Sequence, residues 1–220
     1  MTENTRQIRN LALACLAAGV LAFVFSFCIA TVAGASVPST VRAPFGVAYS
    51  TLGNNTESDC TVAAAGDLVD VWDYQRGVID TRVVADVQHV WNTLGHPSQG
   101  LVPQTLLDYW TTHAIDGYKI TYTNQGNATK STIESDVVRY SGAYIQVHFS
   151  NGFMKMIDTN SQATWRTQGN AGANVNFHQI DVVGYSHTGV SIATWGEVYH
   201  ASWNWLLTHQ VQTFEVSPVR

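Results

Sequence analysis

The sequence predicts an α+β fold, in which helices fill the first half of the chain and antiparallel strands dominate the second half. Apolar residues make up 45% of the 220 residues and charged residues only 12%, a composition typical of a chain with a packed core. Apolar side chains recur at helical spacing before residue 118, whereas alternating runs separated by short turns follow it. We therefore expect one globular domain, preceded by one N-terminal hydrophobic helix.

That hydrophobic segment lies close to the N-terminus. The 23 residues 11–33 contain no charged side chain, and this length is enough to span a bilayer as a helix. The small residues that end at Ala35 also fit a signal-peptidase site, although signal peptides usually have an apolar stretch of only about 7–15 residues. Arg6 and Arg9 place this end of the chain in the cytoplasm under either interpretation.

The segment determines the predicted domain organisation. Residues 1–35 form a signal peptide or a transmembrane signal-anchor, residues 36–44 a linker, and residues 45–220 the domain. We expect the domain to lie outside the cytoplasm. It is either secreted after cleavage near Ala35 or held at the membrane by residues 11–33.

Only one of the three cysteines belongs to the predicted domain. Cys15 and Cys28 lie within the hydrophobic segment, which leaves Cys60 without a partner for a disulfide inside the domain. A lone thiol in an oxidising compartment is either buried and inert or functional. The sequence by itself leaves both possibilities open.

Cys60 is predicted to lie in the first turn of a helix. The apolar residues of 60–72 recur at helical spacing, and either Ser58 or Asp59 is a suitable N-cap. The unpaired N–H groups and the dipole at this end of a helix favour a thiolate over a thiol. The alternative is a cysteine that packs as a small hydrophobic side chain.

Two further helices are predicted before residue 118. Residues 79–95 form an amphipathic pattern that is capped by Asp80 and stopped by Gly95. Residues 100–117 form a second helix that starts near Pro103, because proline is favoured in the first turn.

Strands dominate the rest of the chain, with one helix among them. The ranges 118–123, 142–149 and 212–218 are predicted strands. A capping box that starts at Ser131 predicts a helix reaching about Tyr140.

A β-hairpin is predicted near the C-terminal end of the domain. His178 begins a strand, HQIDVVGY, which is followed by the turn SHTG and by a second strand, VSIATW. A single histidine at the head of an apolar strand is most often a hydrogen-bonded structural residue. The tryptophans of this half are interpreted as core packing, namely Trp165, Trp195, Trp203 and Trp205.

The combination of these patches resembles the papain-like cysteine peptidases. In that family a cysteine opens the central helix, a histidine opens a strand written HAVxxVGY, and an asparagine in an N-S-W-G motif orients the imidazole. Cys60, His178 and the sequence Ala-Thr-Trp-Gly at 193–196 occupy these places in the same order. The resemblance implies a papain-like fold, in which a helical half with the cysteine-bearing helix packs on a C-terminal antiparallel sheet. It also implies an active site in the cleft between the two halves.

Two positions depart from the family pattern. Thr194 stands sixteen residues after His178 in place of the asparagine, whereas Ala193 takes that place if the Trp-Gly pair is matched instead. The family also has an oxyanion-binding glutamine six residues before the cysteine, and Asn54 stands there. Asp181 is a poor candidate for a third catalytic residue beside Cys60 and His178, because its odd spacing from His178 turns it to the other face of the strand.

Composition and motifs argue against several other classes of function. The eleven Lys and Arg residues are scattered, so no nucleic-acid footprint is visible. The eight histidines form no metal-ligand pair, and no signal for an organic cofactor appears. We expect a monomer that acts on a peptide or amide substrate.

Three hypotheses follow. The first is an exported cysteine-dependent hydrolase with Cys60 as nucleophile, His178 as base, Thr194 as the orienting residue and Asn54 in the oxyanion site. The second is a papain-like binding module at the cell surface that has lost catalysis. The third is a different fold in which Cys60 is only structural.

Overall fold

A computed structural model describes residues 36–44, 47, 49–53, 58–78, 82–150, 153, 164–166 and 174–219. The predicted signal peptide or anchor, its hydrophobic helix, and Asn54 lie outside these ranges. Within the described ranges, no helix has both the length and the apolar character needed to cross a membrane.

The helices of the described chain come mainly before the sheet. They are α1 (Cys60–Gln75), α2 (Val83–Thr93), α3 (Pro103–Thr112), α4 (Lys130–Tyr140) and α5 (Trp203–His209). Helix α1 begins at the cysteine, as the sequence predicted.

Six strands form one antiparallel sheet. They are β1 (Lys119–Gly126), β2 (Ala143–Ser150), β3 (Asn174–Tyr185), β4 (Gly189–Thr194), β5 (Glu197–Ser202) and β6 (Gln210–Val219). Their order across the sheet is β1-β6-β2-β3-β4-β5. The predicted α+β arrangement is therefore confirmed.

Helix α1 is central because its sequence allows close packing on every side. Small residues at 63–66 are buried, together with apolar residues further along the helix. At Gly66 there is no room for a side chain, since an added Cβ would lie 2.5 Å from Leu52 Cδ1 and 2.8 Å from Val87 Cγ2. Near the other end of the helix, Trp72 Nε1 donates a hydrogen bond of 2.7 Å to the Tyr140 carbonyl.

Two large apolar clusters lie on opposite faces of the sheet. The first packs α1, α2 and α3 against one face and includes Leu68, Trp110 and Tyr144. The second lies on the other face and is rich in aromatic side chains, among them Phe149 and Trp205. This second cluster is called the aromatic core below.

Several predicted boundaries need correction. Helix α3 was predicted to end just before Gly117 but ends at Thr112, because Ile115 and Tyr118 form a bridge around a turn. The N-cap of α4 is Thr129 and not Ser131, since the Thr129 hydroxyl accepts a hydrogen bond of 3.3 Å from the Thr132 N–H.

The helix predicted over 79–95 is α2, whose first described helical residue is Val83. Gly95 has φ +88° just beyond its end, which agrees with the predicted stop signal, whereas Asp80 lies outside the described residues. The hairpin of β3 and β4 is present, but β3 starts four residues before His178. Strand β5 and helix α5 were not predicted from the sequence.

Some of the residues that were ascribed to a linker contact the sheet. Val41 pairs with Tyr185 of β3, and the Tyr185 hydroxyl donates a hydrogen bond of 2.7 Å to the Pro38 carbonyl. The exact boundary between linker and domain stays a prediction.

Candidate active site

Cys60 is the first residue of α1 and is partly exposed. Asp59 is the N-cap, and its carbonyl accepts hydrogen bonds from the N–H groups of Val62 and Ala63 at 2.8 and 2.9 Å. The backbone N–H groups of Cys60 and Thr61 precede these and have no backbone acceptor within the helix, which makes this end attractive to negative charge.

A cavity of about 330 Å³ opens at this end of the helix. It is called the thiol cavity below. Its wall consists of residues from α1, the loop before α3, and strands β2, β3 and β6, namely Cys60, Thr61, 99–103, Gln146, Phe177, His178 and Val211. Cys60 and His178 therefore share one cavity, although 118 positions separate them in the sequence.

Side-chain hydrogen bonds attach the loop wall of this cavity to α1. The Thr61 hydroxyl donates to the Leu101 carbonyl at 2.9 Å, and the Ser58 hydroxyl donates to the Ser98 carbonyl at 3.3 Å. From the sheet side, the buried Tyr144 hydroxyl donates to the Thr61 carbonyl at 2.6 Å. The first turn of α1 is thus fixed between the loop and the sheet.

His178 contacts Thr194, the orienting partner predicted from the sequence. Its Nε2 lies 2.7 Å from Thr194 Oγ1, and both side chains are buried. Ala193 is excluded from this contact because it pairs with Asp181 and lies next to Thr194 on the strand, so it faces the other side of the sheet. Asp181 is on that other face too, and it is fully buried there.

Trp195 covers the imidazole. The two rings are stacked with centroids 4.3 Å apart and an angle of 21° between their planes. Trp195 and Gly196 form the turn between β4 and β5 with φ values of +49° and +78°. A tryptophan rarely adopts this left-handed conformation, which costs of the order of 1–3 kcal/mol, so the fold holds the indole in place against local strain.

Burial controls the protonation of both candidate catalytic groups. It raises the pKa of the Cys60 thiol above its ordinary value, while hydrogen bonds from the Gln179 backbone and from Thr61 oppose the rise and the charge of Asp59 adds to it. Burial lowers the pKa of His178 to about 3. At neutral pH the site therefore contains a thiol and a neutral imidazole. The thiolate expected from the helix dipole alone is not favoured, because desolvation is the larger effect.

Three features of this site were not identified from the sequence. Trp195, which stacks on the His178 ring, was interpreted as core packing, and no local pattern indicated that Gln146 lines the cavity. The loop at 99–103 was visible only as the start of a helix. In the described part of the chain, no group of three or more His, Cys, Asp or Glu residues is arranged to hold a metal ion.

No protein-family model and no curated protein matches this sequence. A comparison of structures does find similarity. The crystal structure of xylellain, a cysteine protease from Xylella fastidiosa, superposes with a TM-score of 0.59 over 84% of this chain and 88% of the other. The identity is 13%, so the likeness concerns the fold, and the fold of the chain is papain-like.

Proposed function

We propose that this papain-like chain is a cysteine-dependent hydrolase that cleaves a peptide or amide bond. The observation that carries the proposal is that Cys60 and His178 line one cavity, while His178 Nε2 contacts Thr194 Oγ1. We further propose that the enzyme works outside the cytoplasm, with residues 11–33 as its signal or anchor. The roles of Cys60 and His178 are those that the resemblance in sequence implied, whereas export is inferred from the hydrophobic segment.

The neutral state of the pair defines the chemistry. As Cys60 Sγ bonds to the substrate carbonyl carbon, its proton passes to the imidazole of His178. The carbonyl oxygen becomes an oxyanion, and its collapse expels the amine, which takes the proton from the imidazolium. The remaining thioester is then attacked by water, with His178 again accepting a proton, and the carboxylic acid leaves as Cys60 regains its hydrogen.

Thr194 selects the tautomer that this chemistry needs. When Nε2–H donates to Thr194 Oγ1, Nδ1 is left as the proton acceptor for the thiol. A carbonyl oxygen of asparagine is only an acceptor and enforces this tautomer, whereas a threonine hydroxyl can also donate. Thr194 therefore performs the orienting task less strictly than the family residue. The stack with the half-buried Trp195 restricts the ring further.

The oxyanion would be held at the beginning of α1. The Cys60 backbone N–H belongs to the first turn and has no acceptor within the helix. We assign the second donor to the Asn54 side chain, by its position in the sequence six residues before the nucleophile.

The test is covalent capture of the intermediate. The full-length chain is incubated with a library of p-nitrophenyl esters and peptide anilides, and intact mass and peptide mapping locate any acyl group. We expect acylation at Cys60 that is lost in Cys60→Ala and slowed in His178→Ala. Hydrolysis that survives in Cys60→Ala would refute the proposal.

The second candidate function is a binding module without catalysis. It is favoured by one observation, namely that burial stabilises the uncharged thiol and the uncharged imidazole. In that case no member of the library acylates Cys60, and peptides that bind in the thiol cavity bind equally well to Cys60→Ala.

A further inference from the structure

A second and larger cavity lies on the sheet away from the thiol cavity. Its volume is about 630 Å³, and it is bordered by the segments 40–42 and 164–166 and by the ends of β3, β4 and β5. Along β3, Tyr185 at this cavity is seven residues from His178, which corresponds to about 23 Å at strand spacing. The two cavities are therefore separate sites.

One row of paired residues explains why polar side chains reach this cavity. Across the end of the sheet, backbone pairing joins Val41 to Tyr185, Val190, Ala201 and Trp165 in that order. All five side chains belong to or pack against the aromatic core. Because successive residues of a strand point to opposite faces, their neighbours in the sequence point away from that core.

The polar neighbours that line the cavity carry guanidinium, hydroxyl or imidazole groups. Arg42 follows the first residue of the row and Arg166 follows the last, so the two arginines stand at opposite borders of the cavity. Between them lie Ser191 and His200, which are paired across β4 and β5 with Oγ and Nδ1 3.4 Å apart. Among the described residues, no carboxylate lines this cavity.

Both arginines are attached to backbone that the sheet holds firmly. Val41 exchanges hydrogen bonds of 2.9 and 2.7 Å with Tyr185. Trp165 N–H donates to the His200 carbonyl at 2.7 Å, and the Trp165 carbonyl accepts from Ser202 N–H at 3.0 Å. The backbone next to each arginine is therefore fixed before any ligand binds, which reduces the entropic cost of binding.

Within the described ranges, the two arginines also lack a competing carboxylate partner. Among the described residues, Arg76, Arg82 and Lys130 form ion pairs with carboxylates, whereas neither Arg42 nor Arg166 does. The protein as a whole has a formal charge of −5, so a cavity whose described lining has two guanidinium groups and no carboxylate is a local exception. Such a lining attracts an anion.

We propose that this cavity binds a small ligand that carries two or more phosphate groups. A guanidinium group matches a phosphate with two parallel hydrogen bonds, and the serine and threonine hydroxyls can donate to further oxygens. The row spans four strand spacings, or about 19 Å, so the two arginines suit separate phosphates of one ligand. The aromatic side chains of the row, Tyr185 and Trp165, belong to the aromatic core and are not arranged as a platform for stacking a nucleobase or a sugar.

The test is calorimetric titration of the full-length chain with sodium tripolyphosphate in dilute buffer. We expect saturable binding that weakens about tenfold in Arg42→Gln and in Arg166→Gln, is lost in the double variant, and weakens as NaCl is raised. Arg139→Gln is the matched control, since Arg139 is exposed on α4 and outside the cavity, and it should change the affinity less than about twofold.

Three results would overturn the proposal. The first is no detectable binding at about 5 mM tripolyphosphate, since a dissociation constant above that concentration is too weak for a useful site. The second is that Arg139→Gln weakens binding as much as the cavity variants do. The third is that citrate binds as tightly as tripolyphosphate. Thermal melts of each variant confirm that it is folded. The inference is independent of hydrolysis, because the measurement reads binding alone and can succeed in the Cys60→Ala variant.

Discussion

The contact between His178 and Thr194 gives the most direct test of the active-site geometry. Thr194→Val removes the hydroxyl and keeps the shape and the β-branching of the side chain, so the strand and its packing are preserved. The hydroxyl lies 2.7 Å from Nε2 at a site where Thr194 is only 2% exposed, and water cannot readily replace it.

The size of the effect follows from the charge that the imidazole gains. A hydrogen bond to a charged group contributes about 1.5–3 kcal/mol, and the contact becomes charge-assisted only when His178 accepts the thiol proton. Since about 1.36 kcal/mol corresponds to a tenfold change in rate, kcat/KM should fall about 10- to 150-fold. KM should change little, because the valine does not line the thiol cavity.

The assay combines hydrolysis kinetics with ¹⁵N NMR of the imidazole. In the parent chain we expect a neutral ring protonated on Nε2 across pH 5–8, because burial lowers the pKa of His178 to about 3. In Thr194→Val the two tautomers should mix. Thr194→Asn serves as the comparison and should favour the Nε2–H tautomer at least as strongly, at a packing cost of about 1–3 kcal/mol. An unchanged tautomer and an unchanged kcat/KM in Thr194→Val would refute the reasoning.

Three other predictions concern stability and reactivity. Because burial raises the pKa of the Cys60 thiol, the rate of its alkylation by iodoacetamide should be low at pH 5–7 and should increase only above the ordinary pKa of a thiol. Fast alkylation at pH 5–6 that His178→Ala abolishes would contradict this prediction. Burial and the nearby Asp67 carboxyl raise the pKa of Asp181 well above its usual range, so the stabilising contribution of Asp181 is complete below about pH 4 and is lost as pH rises toward the folded pKa. In that pH window, denaturant melts should show that Asp181→Asn gains about 1.4 kcal/mol of unfolding free energy per pH unit relative to the parent chain. Parallel stability–pH profiles of the two proteins would contradict this prediction. Gly66→Ala should lower the free energy of unfolding by about 1–3 kcal/mol because the methyl group overlaps two core side chains, and an unchanged urea midpoint would show that α1 can shift.

Local signals were enough for the positions of several elements. The apolar spacing after Cys60 and the stop signal at Gly95 depend on neighbouring residues, and the structure contains α1 and α2 there. Where two local signals competed, the sequence could not decide. Thr129 and Ser131 are both plausible caps for α4, and the extended backbone of Thr129 makes it the N-cap.

The state of the candidate site could not be predicted in the same way. A helix dipole acts locally and favours a thiolate, whereas desolvation of Cys60 depends on chain segments far away in the sequence. The choice between Ala193 and Thr194 depended on strand register, which places only Thr194 on the same face as His178. The larger cavity required five separate backbone segments to be aligned, and no window of the sequence contains that information.

The burial of α1 also affects how the protein responds to damage. From Thr61 to Trp72 every residue except Asp70 is buried, so no side of this helix can open to solvent alone. Amide hydrogens in this segment should exchange only when the whole domain unfolds, at the rate set by global stability. Cys60, which carries the thiol, is the first residue of this helix and belongs to the same cooperative unit. A destabilising substitution anywhere in the core should therefore lower the number of intact sites and leave the properties of each surviving site unchanged.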